Sequence, residues 1–493
     1  MNLQTNASEL QPQDTLSLNV AGKKTSSQHW TQSRHNTMKI SKIYIKDSNQ
    51  FKNFMLDLTY PKGHKKEGQA LDKICFIGQS GTGKTSLLNI CKATLKPNQT
   101  QDGTKAQKYF LKDITITCDF KDIKTVAEIK EGGDIVWHQS SLQNPDIVPI
   151  DFIEKFYADK NILIYFPAEI VDNVNRILQE QEKNQLTHPF DYLKTDAEIR
   201  QNLSLSQEKR KVFDFEKENF LEIWTDILKN VNDYKVEELK YGQQIANAFT
   251  VSTEKGENVL EKFKRWKQEN PNPIEKLAQK LDPILNKFCL AIKTSFDFQS
   301  IEDLKFIKIQ SVGGTEIPYQ GWSTGTKQFI LTTTPLYQLN TEETIILVDE
   351  PERSLYPDIQ TEIIDYYTGL APGAQFFFAT HSPIIASAFE PWEIVELKFN
   401  EQGTVYQEQY YEGERQVDNY LIDPRYLRWD SILMRVFDLE KEGNETRSEA
   451  LEEACLLKAK LKKFKEENRL DTEEGQKMMD RFEKLGKKLA WRL

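Results

Sequence analysis

Cysteine, histidine, long apolar runs and an excess of positive charge are all scarce in this chain, and each scarcity removes a class of protein. Five cysteines occur in 493 residues, Cys75, Cys91, Cys118, Cys289 and Cys455, and no two form a C-x-x-C pair. That spacing excludes a zinc ribbon and a disulfide framework and suits a reducing, cytoplasmic setting. Six histidines are present and none follows His381, so the C-terminal region offers no histidine-based metal site. No stretch approaches the roughly 20 apolar residues that a membrane helix requires. The N-terminus lacks the apolar core of a signal peptide, so no membrane association is expected. The 65 Lys and Arg against 75 Asp and Glu leave a net charge of −10. Such a chain does not coat nucleic acid over its whole surface, although a local basic patch remains compatible with it.

What is present is a phosphate-binding pattern. Gly78-Gln79-Ser80-Gly81-Thr82-Gly83-Lys84-Thr85 matches G-x-x-x-x-G-K-[ST], with the apolar run Ile74-Cys75-Phe76-Ile77 before it and Ser86-Leu87-Leu88-Asn89-Ile90 after it. This is the strand–loop–helix context the motif requires. Glycines let successive N–H groups and the helix N-terminus face an anion. Lys84 is expected to reach the β- and γ-phosphates of ATP, and the Thr85 hydroxyl to ligate Mg²⁺. Far along the chain, Ile345-Ile346-Leu347-Val348-Asp349-Glu350 is an aliphatic run ending in two carboxylates, as when a buried parallel strand delivers acids to its C-terminal edge. Asp349 is expected to hold the Mg²⁺ shell, and Glu350, pointing the other way along the strand, to polarise the attacking water as general base. A third buried-strand pattern, Gln375-Phe376-Phe377-Phe378-Ala379, leaves His381 just past its end, placed to contact the γ-phosphate or to orient the water and Glu350.

The order P-loop, acidic strand, histidine resembles the ABC-type ATPases. Gly321-Trp322-Ser323-Thr324-Gly325-Thr326-Lys327-Gln328 looks like the signature loop of that family. The resemblance implies that Ser323 and Gly325 open a helix that caps the γ-phosphate of nucleotide held by the other protomer. The transporter form L-S-G-G-Q is absent here, and S-x-G-x-K-Q is closer to the soluble RecF and SMC-like branch. Asp349-Glu350-Pro351-Glu352-Arg353-Ser354-Leu355-Tyr356-Pro357 is similar to the D-E-P-E-x-x-L-H-P of RecF-like and OLD-like ATPases, with Tyr356 where those usually carry His, and Thr380-His381-Ser382-Pro383 matches their T-H-S-P. The resemblance extends to the ATPases of Septu-type and retron-associated anti-phage systems. It implies an ATP-sandwich homodimer, with higher oligomers open, that controls a separate nuclease or other effector. Nucleic acid would be met directly or through that partner. The alternative is a RecF- or SMC-like DNA-maintenance clamp. OLD-type proteins carry a Toprim nuclease after the ATPase, and the acidic D-x-D pair of such a domain is missing here. For the lid glutamine of the family, Gln139 is the first candidate and Gln143 a rival.

The expected fold is therefore α/β, a P-loop NTPase of the ABC-ATPase type with an antiparallel N-terminal β-subdomain, a helical insertion and a C-terminal helical extension. Residues 1–37, rich in Ser, Thr, Gln and Asn, read as a disordered tail. ATPase segment 1 covers 38–170, a helical insertion 171–300, ATPase segment 2 301–400, and a hairpin with charged helices, expected to dock a partner, 401–493. The insertion falls where SMC-like proteins place a coiled coil, but Pro271, Pro273 and Pro283 interrupt it, so a compact helical subdomain is expected rather than a long rod. The basic run Leu456–Lys465 reads as a solvated helix face, and Leu485–Leu493 as a docking tail.

Overall fold

The computed structural model describes residues 39–95, 114–120, 123–129, 135–141, 163–183, 212–216, 221–295, 307–339, 341–408, 423–437, 439 and 443–491. The tail at 1–37 and Gln143 lie outside them. All described residues belong to one unit, Asn36–Leu493.

Lys39–Ser48 (β1) and Phe51–Asp57 (β2) form a hairpin in which Ile45 faces Phe54. Lys73–Gly78 (β3) runs through the P-loop into Lys84–Leu95 (α1). Ile114–Phe120 (β4), Ile123–Ile129 (β5) and Ile135–Ser141 (β6) make an antiparallel meander joined to β1. Leu163–Phe166 (β7), Ile170–Lys183 (α2) and Val212–Asp214 (β8) follow. Then come three longer helices, Leu221–Val251 (α3), Thr253–Glu269 (α4) and Pro273–Leu285 (α5). A small sheet of Leu290–Ile292 (β9), Ile309–Ser311 (β10) and Glu316–Ile317 (β11) precedes Thr324–Gln338 (α6). Ile345–Asp349 (β12), Pro357–Leu370 (α7), Gln375–Ala379 (β13), the short Pro383–Ala386 (α8), Ile394–Phe399 (β14) and Val405–Gln407 (β15) complete the ATPase. Trp429–Arg435 (α9), Glu445–Glu466 (α10) and Glu473–Lys488 (α11) close the chain.

The main sheet has the order β6-β5-β4-β1-β2-β15-β14-β3-β13-β12-β7-β8. Its strands β14, β3, β13, β12, β7 and β8 are parallel. Because side chains alternate along a strand, each apolar run feeds two cores. Cys75, Ile77, Ile346, Val348, Phe376 and Phe378 join the core beneath α5, α6 and α7. Ile74, Phe76, Ile345, Leu347, Phe377 and Ala379 join the core that holds α1 and the β1–β2 hairpin. Gln375 locks the hairpin to the parallel strands: its buried amide donates to the Ile40 and Leu71 carbonyls at 2.9 and 2.8 Å and accepts the Ile40 N–H at 2.7 Å. All of this agrees with the α/β ABC-type fold and its antiparallel N-terminal β-subdomain.

The structure departs from expectation in the middle and at the end of the chain. Strand β8 lies inside the stretch read as helical, and it extends the sheet beside β7. Its carboxylate Asp214 stands 3.5 Å from the buried Lys92 of α1, with Glu216 at 2.7 Å. Strand β15 carries the sheet past residue 400, so the closing hairpin belongs to the ATPase. Helices α3 and α4 form an antiparallel arm. At 31 residues, α3 spans about 46 Å, and the Tyr234 and Tyr241 rings lie 5.0 and 5.4 Å from Trp266. Pro271 and Pro273 bracket the α4–α5 junction and leave residues 221–269 unbroken, while Pro283 sits inside α5. There, burial of Leu277, Ala278, Leu281 and Ile284 offsets the lost backbone hydrogen bond. Most of the basic run Leu456–Lys465 is exposed on α10. In contrast, Leu485 and Leu489 of the presumptive docking tail are buried against Ala454, where they join α10 to α11.

Candidate active site

Three neighbouring strands, β3, β13 and β12, end on the same side of the sheet and deliver the P-loop, the His381 loop and the acidic pair. The P-loop needs its glycines. Gly78, Gly81 and Gly83 have φ of 141°, 88° and 89°, values that side chains other than Gly rarely adopt. Gln79, Ser80 and Gly81 are exposed, and Thr82 is buried with its hydroxyl donating to the Gln79 carbonyl at 2.8 Å. The Gln50 amide donates to the Gly81 carbonyl at 3.2 Å, so the β1–β2 turn braces the loop. Lys84 opens α1 and donates from Nζ to the Gly78 and Gln79 carbonyls at 2.8 and 3.0 Å. Burial holds its pKa down to about 8, against the opposing pull of Asp349, Glu350 and Glu352. Ser86 follows in the first turn of α1, half-buried.

Thr85 and Asp349 are 264 positions apart, yet the Thr85 hydroxyl lies 3.1 and 3.0 Å from the two carboxylate oxygens of Asp349. Burial pushes the Asp349 carboxyl up to about 6; the Thr85 hydrogen bond opposes the shift, and the Glu350 and Glu352 charges add to it. One hydroxyl and one buried carboxylate at the mouth of a phosphate loop fit Mg²⁺, which keeps waters and takes one or two protein ligands plus substrate phosphates. Among the described residues no group of three or more His, Cys, Asp or Glu side chains stands ready to hold a metal by itself.

Glu350 is the residue after β12, and its φ of 49° puts it in a left-handed turn. Its direction is therefore set by that turn and by its N–H, which donates to the Ala379 carbonyl at 2.8 Å, rather than by strand alternation. The carboxylate is half-exposed and stands 3.8 Å from Arg353, which also reaches Asp172 of α2 at 3.7 Å. His381 is exposed; burial of the ring, then the Lys84 charge, lowers its pKa, and Glu350 opposes the shift.

Ser323 and Gly325 occupy the start of α6. Ser323 is its N-cap, accepting the Thr326 N–H at 3.1 Å. Gly325 packs against the turn that follows the acidic strand, and a Cβ there would lie 2.4 Å from the Ser354 carbonyl oxygen. The Ser323 hydroxyl bonds within the first turn of α6, to the Thr326 N–H and hydroxyl. Gln139 is placed elsewhere, in β6, paired with Thr125 and seven positions along the sheet from β3. Sequence reasoning gave no role to Glu352, Arg353 or Gln375, although the D-E-P-E spacing carried the signal for the first.

A P-loop joined to an acidic strand, a histidine loop and a serine-capped signature helix, on a sheet of this order, defines a P-loop ATPase of the ABC type. The chain belongs to the AAA ATPase domain family, whose model matches residues 38–386. None of the curated proteins matches it significantly. Among solved structures it is similar to the Smc head domain of Pyrococcus furiosus with an extended coiled coil, bound to the C-terminal domain of ScpA. That match has 12% identity, covers 75% of this chain and 96% of the other, and has a TM-score of 0.38. An SMC head bound to the C-winged helix domain of ScpA gives 11%, 75%, 96% and 0.42. The SMC head domain from Thermotoga maritima gives 12%, 75%, 98% and 0.35.

Proposed function

We propose that this chain hydrolyses ATP to ADP and phosphate as the ATP-dimerised subunit of a bacterial anti-phage complex and thereby controls a separate effector such as a nuclease. The observation that carries the ATPase reading is the contact between Thr85 and Asp349 beside Lys84. Lys84 would leave the Gly78 and Gln79 carbonyls for the β- and γ-phosphates, and the P-loop N–H groups would hold the α- and β-phosphates. Thr85 and Asp349 would hold Mg²⁺, which would neutralise phosphate charge there. Glu350 takes the proton of the attacking water, and His381 faces the same phosphate. Ser323 and Gly325 would come from the partner protomer, as the resemblance of their loop to the ABC-type signature loop implies; in its own chain the loop is capped by Ser323 and packs on Ser354. The S-x-G-x-K-Q, D-E-P-E and T-H-S-P wording supports the soluble RecF-, SMC- and OLD-like branch, and the resemblance to Septu-type and retron-associated ATPases within it supports the anti-phage role.

A second reading is the RecF- or SMC-like DNA clamp, and the observation that favours it is the α3–α4 arm, which rises from the place where SMC-like proteins carry their coiled coil. Purification from the native operon followed by native mass spectrometry, with and without ATP, separates the two. Co-purification of a nuclease supports the effector-controlling role. A lone chain that dimerises with ATP and captures DNA supports the clamp. For the chemistry, Glu350→Gln is expected to keep ATP and turn it over about a hundredfold more slowly; near-wild-type turnover rejects Glu350 as base.

A further inference from the structure

We propose that Glu352 is the positioning residue of the His381 loop, holding the histidine against the acidic turn so that its imidazole meets the phosphate at a fixed height. This rests on the ATPase reading above and adds a third acidic residue of that segment to it, after Asp349 and Glu350.

Glu352 sits in the turn after β12, closed by the Leu355 N–H on the Glu352 carbonyl at 3.0 Å. Its side chain points inward. Oε1 accepts the main-chain N–H of His381 at 3.0 Å, and the carboxylate also takes a hydrogen bond from the Thr380 side chain. Oε2 is sealed from water with no hydrogen-bond partner. A carboxylate buried in this way, with Glu350 close by, is costly, and the cost is met only in part by its donors, its own main-chain N–H, the Thr380 side chain and the His381 N–H. An apolar side chain would fill the same space without it. What the carboxylate adds is a rigid acceptor for the N–H of residue 381.

The rest of the loop is fastened by other groups. The Thr380 N–H donates to the Phe76 carbonyl at 3.1 Å, tying the loop to the P-loop strand. The Ser382 N–H donates to the Thr380 hydroxyl at 2.9 Å, and the Ser382 hydroxyl donates to Gln360 at 2.8 Å. These bonds place residues 380 and 382, whereas Glu352 places 381 itself. The same turn also presents Glu350, whose N–H holds the Ala379 carbonyl at 2.8 Å. Base and histidine therefore move as one unit while Glu352 spans them. Displacement of a reacting group by about 1 Å costs on the order of a hundredfold in rate, so loss of this tie is read in turnover and not in nucleotide affinity.

The test uses the full chain, with ATP hydrolysis measured over a range of ATP concentrations and a thermal melt for each variant. Glu352→Met removes the acceptor but relieves the buried charge. It is expected to melt at or above the wild-type temperature with KM within about threefold, while kcat falls about tenfold or more. Glu352→Gln keeps an acceptor for the N–H and is expected to recover about a third or more of the wild-type rate. Combined with His381→Ala, Glu352→Met should slow the enzyme no further than His381→Ala alone. Wild-type kcat in Glu352→Met, or losses that multiply in the double variant, overturns the proposal. Lys84→Ala and Glu350→Gln are the controls. If they leave the rate unchanged, the ATPase reading itself falls and takes the proposal with it; if they abolish it, the Glu352 result stands by itself.

Discussion

At Gly83 a Cβ would lie 2.5 Å from the Gln50 amide nitrogen and 2.6 Å from the Phe51 ring, at a φ of 89°. Gly83→Ala therefore combines backbone strain with a clash against the hairpin that braces the P-loop. It is expected to lose about 1–3 kcal/mol of stability and to weaken ATP binding about tenfold or more, read by denaturation and nucleotide titration. Glu393 offers a pH-dependent counterpart away from the nucleotide. It is buried, 3.5 Å from Lys73, and accepts the Glu390 N–H at 2.8 Å. Burial nonetheless outweighs these partners and lifts its pKa from 4.5 to about 7. Between those values the folded chain holds a proton that the unfolded chain has lost, so this residue lowers stability as pH rises through that window. Glu393→Gln should gain on the wild type between pH 5 and pH 8, by at most about 3 kcal/mol. A stability difference that stays flat with pH, measured by urea unfolding, refutes this.

The arm and the signature helix meet at one buried ring. Trp224, in the first turn of α3, is fully buried, with its ring 6.1 Å from both Tyr319 and Trp322, the latter next to Ser323. Beyond Val231 the Tyr234 and Tyr241 rings of the arm lie against Trp266 of α4, and Leu239 and Val251 remain about two-thirds exposed at 67% and 66%. The base of α3 thus belongs to the ATPase core and its tip does not. Trp224→Ala is expected to cost about 3–5 kcal/mol of global stability. Substitutions at the exposed Leu239 should change it by less than about 0.5 kcal/mol. Equal losses at the two positions, in denaturant titrations, would mean that the arm folds as one unit with the core.

Over the whole molecule, the two cores on opposite faces of the sheet fix where β3, β13 and β12 end, and so bring the P-loop, the acidic pair and the His381 loop to one edge. The proposed ATP-sandwich arrangement makes a specific forecast. A Lys84→Ala chain mixed with a Ser323→Arg chain, each inactive alone, should regain about a quarter of wild-type hydrolysis, since half the dimers are mixed and each holds one intact site. No recovery across a range of protein concentrations would reject the shared site.

Much of this was legible in the sequence because local chemistry dictates it. A P-loop requires glycines at φ values they alone tolerate, a serine caps a helix, and aliphatic runs without polar interruption become strands buried on both faces. Those rules mark the P-loop, the acidic strand and the histidine loop, and the resemblance of their order to ABC-type ATPases supplies the expected fold. Tertiary structure decided what depends on partners distant in the chain. Strand β8 joins a sheet edge beside β7, with Phe213 and Phe215 in the core and Asp214 and Glu216 meeting Lys92. Residues 221–269 become an arm because stacked aromatics pair two helices that no proline breaks. Glu350 takes its direction from a left-handed turn, and Glu352 gains its partner from a loop 29 residues away. Burial and long-range hydrogen bonds are properties of the packed chain, and no spacing within a single segment encodes them.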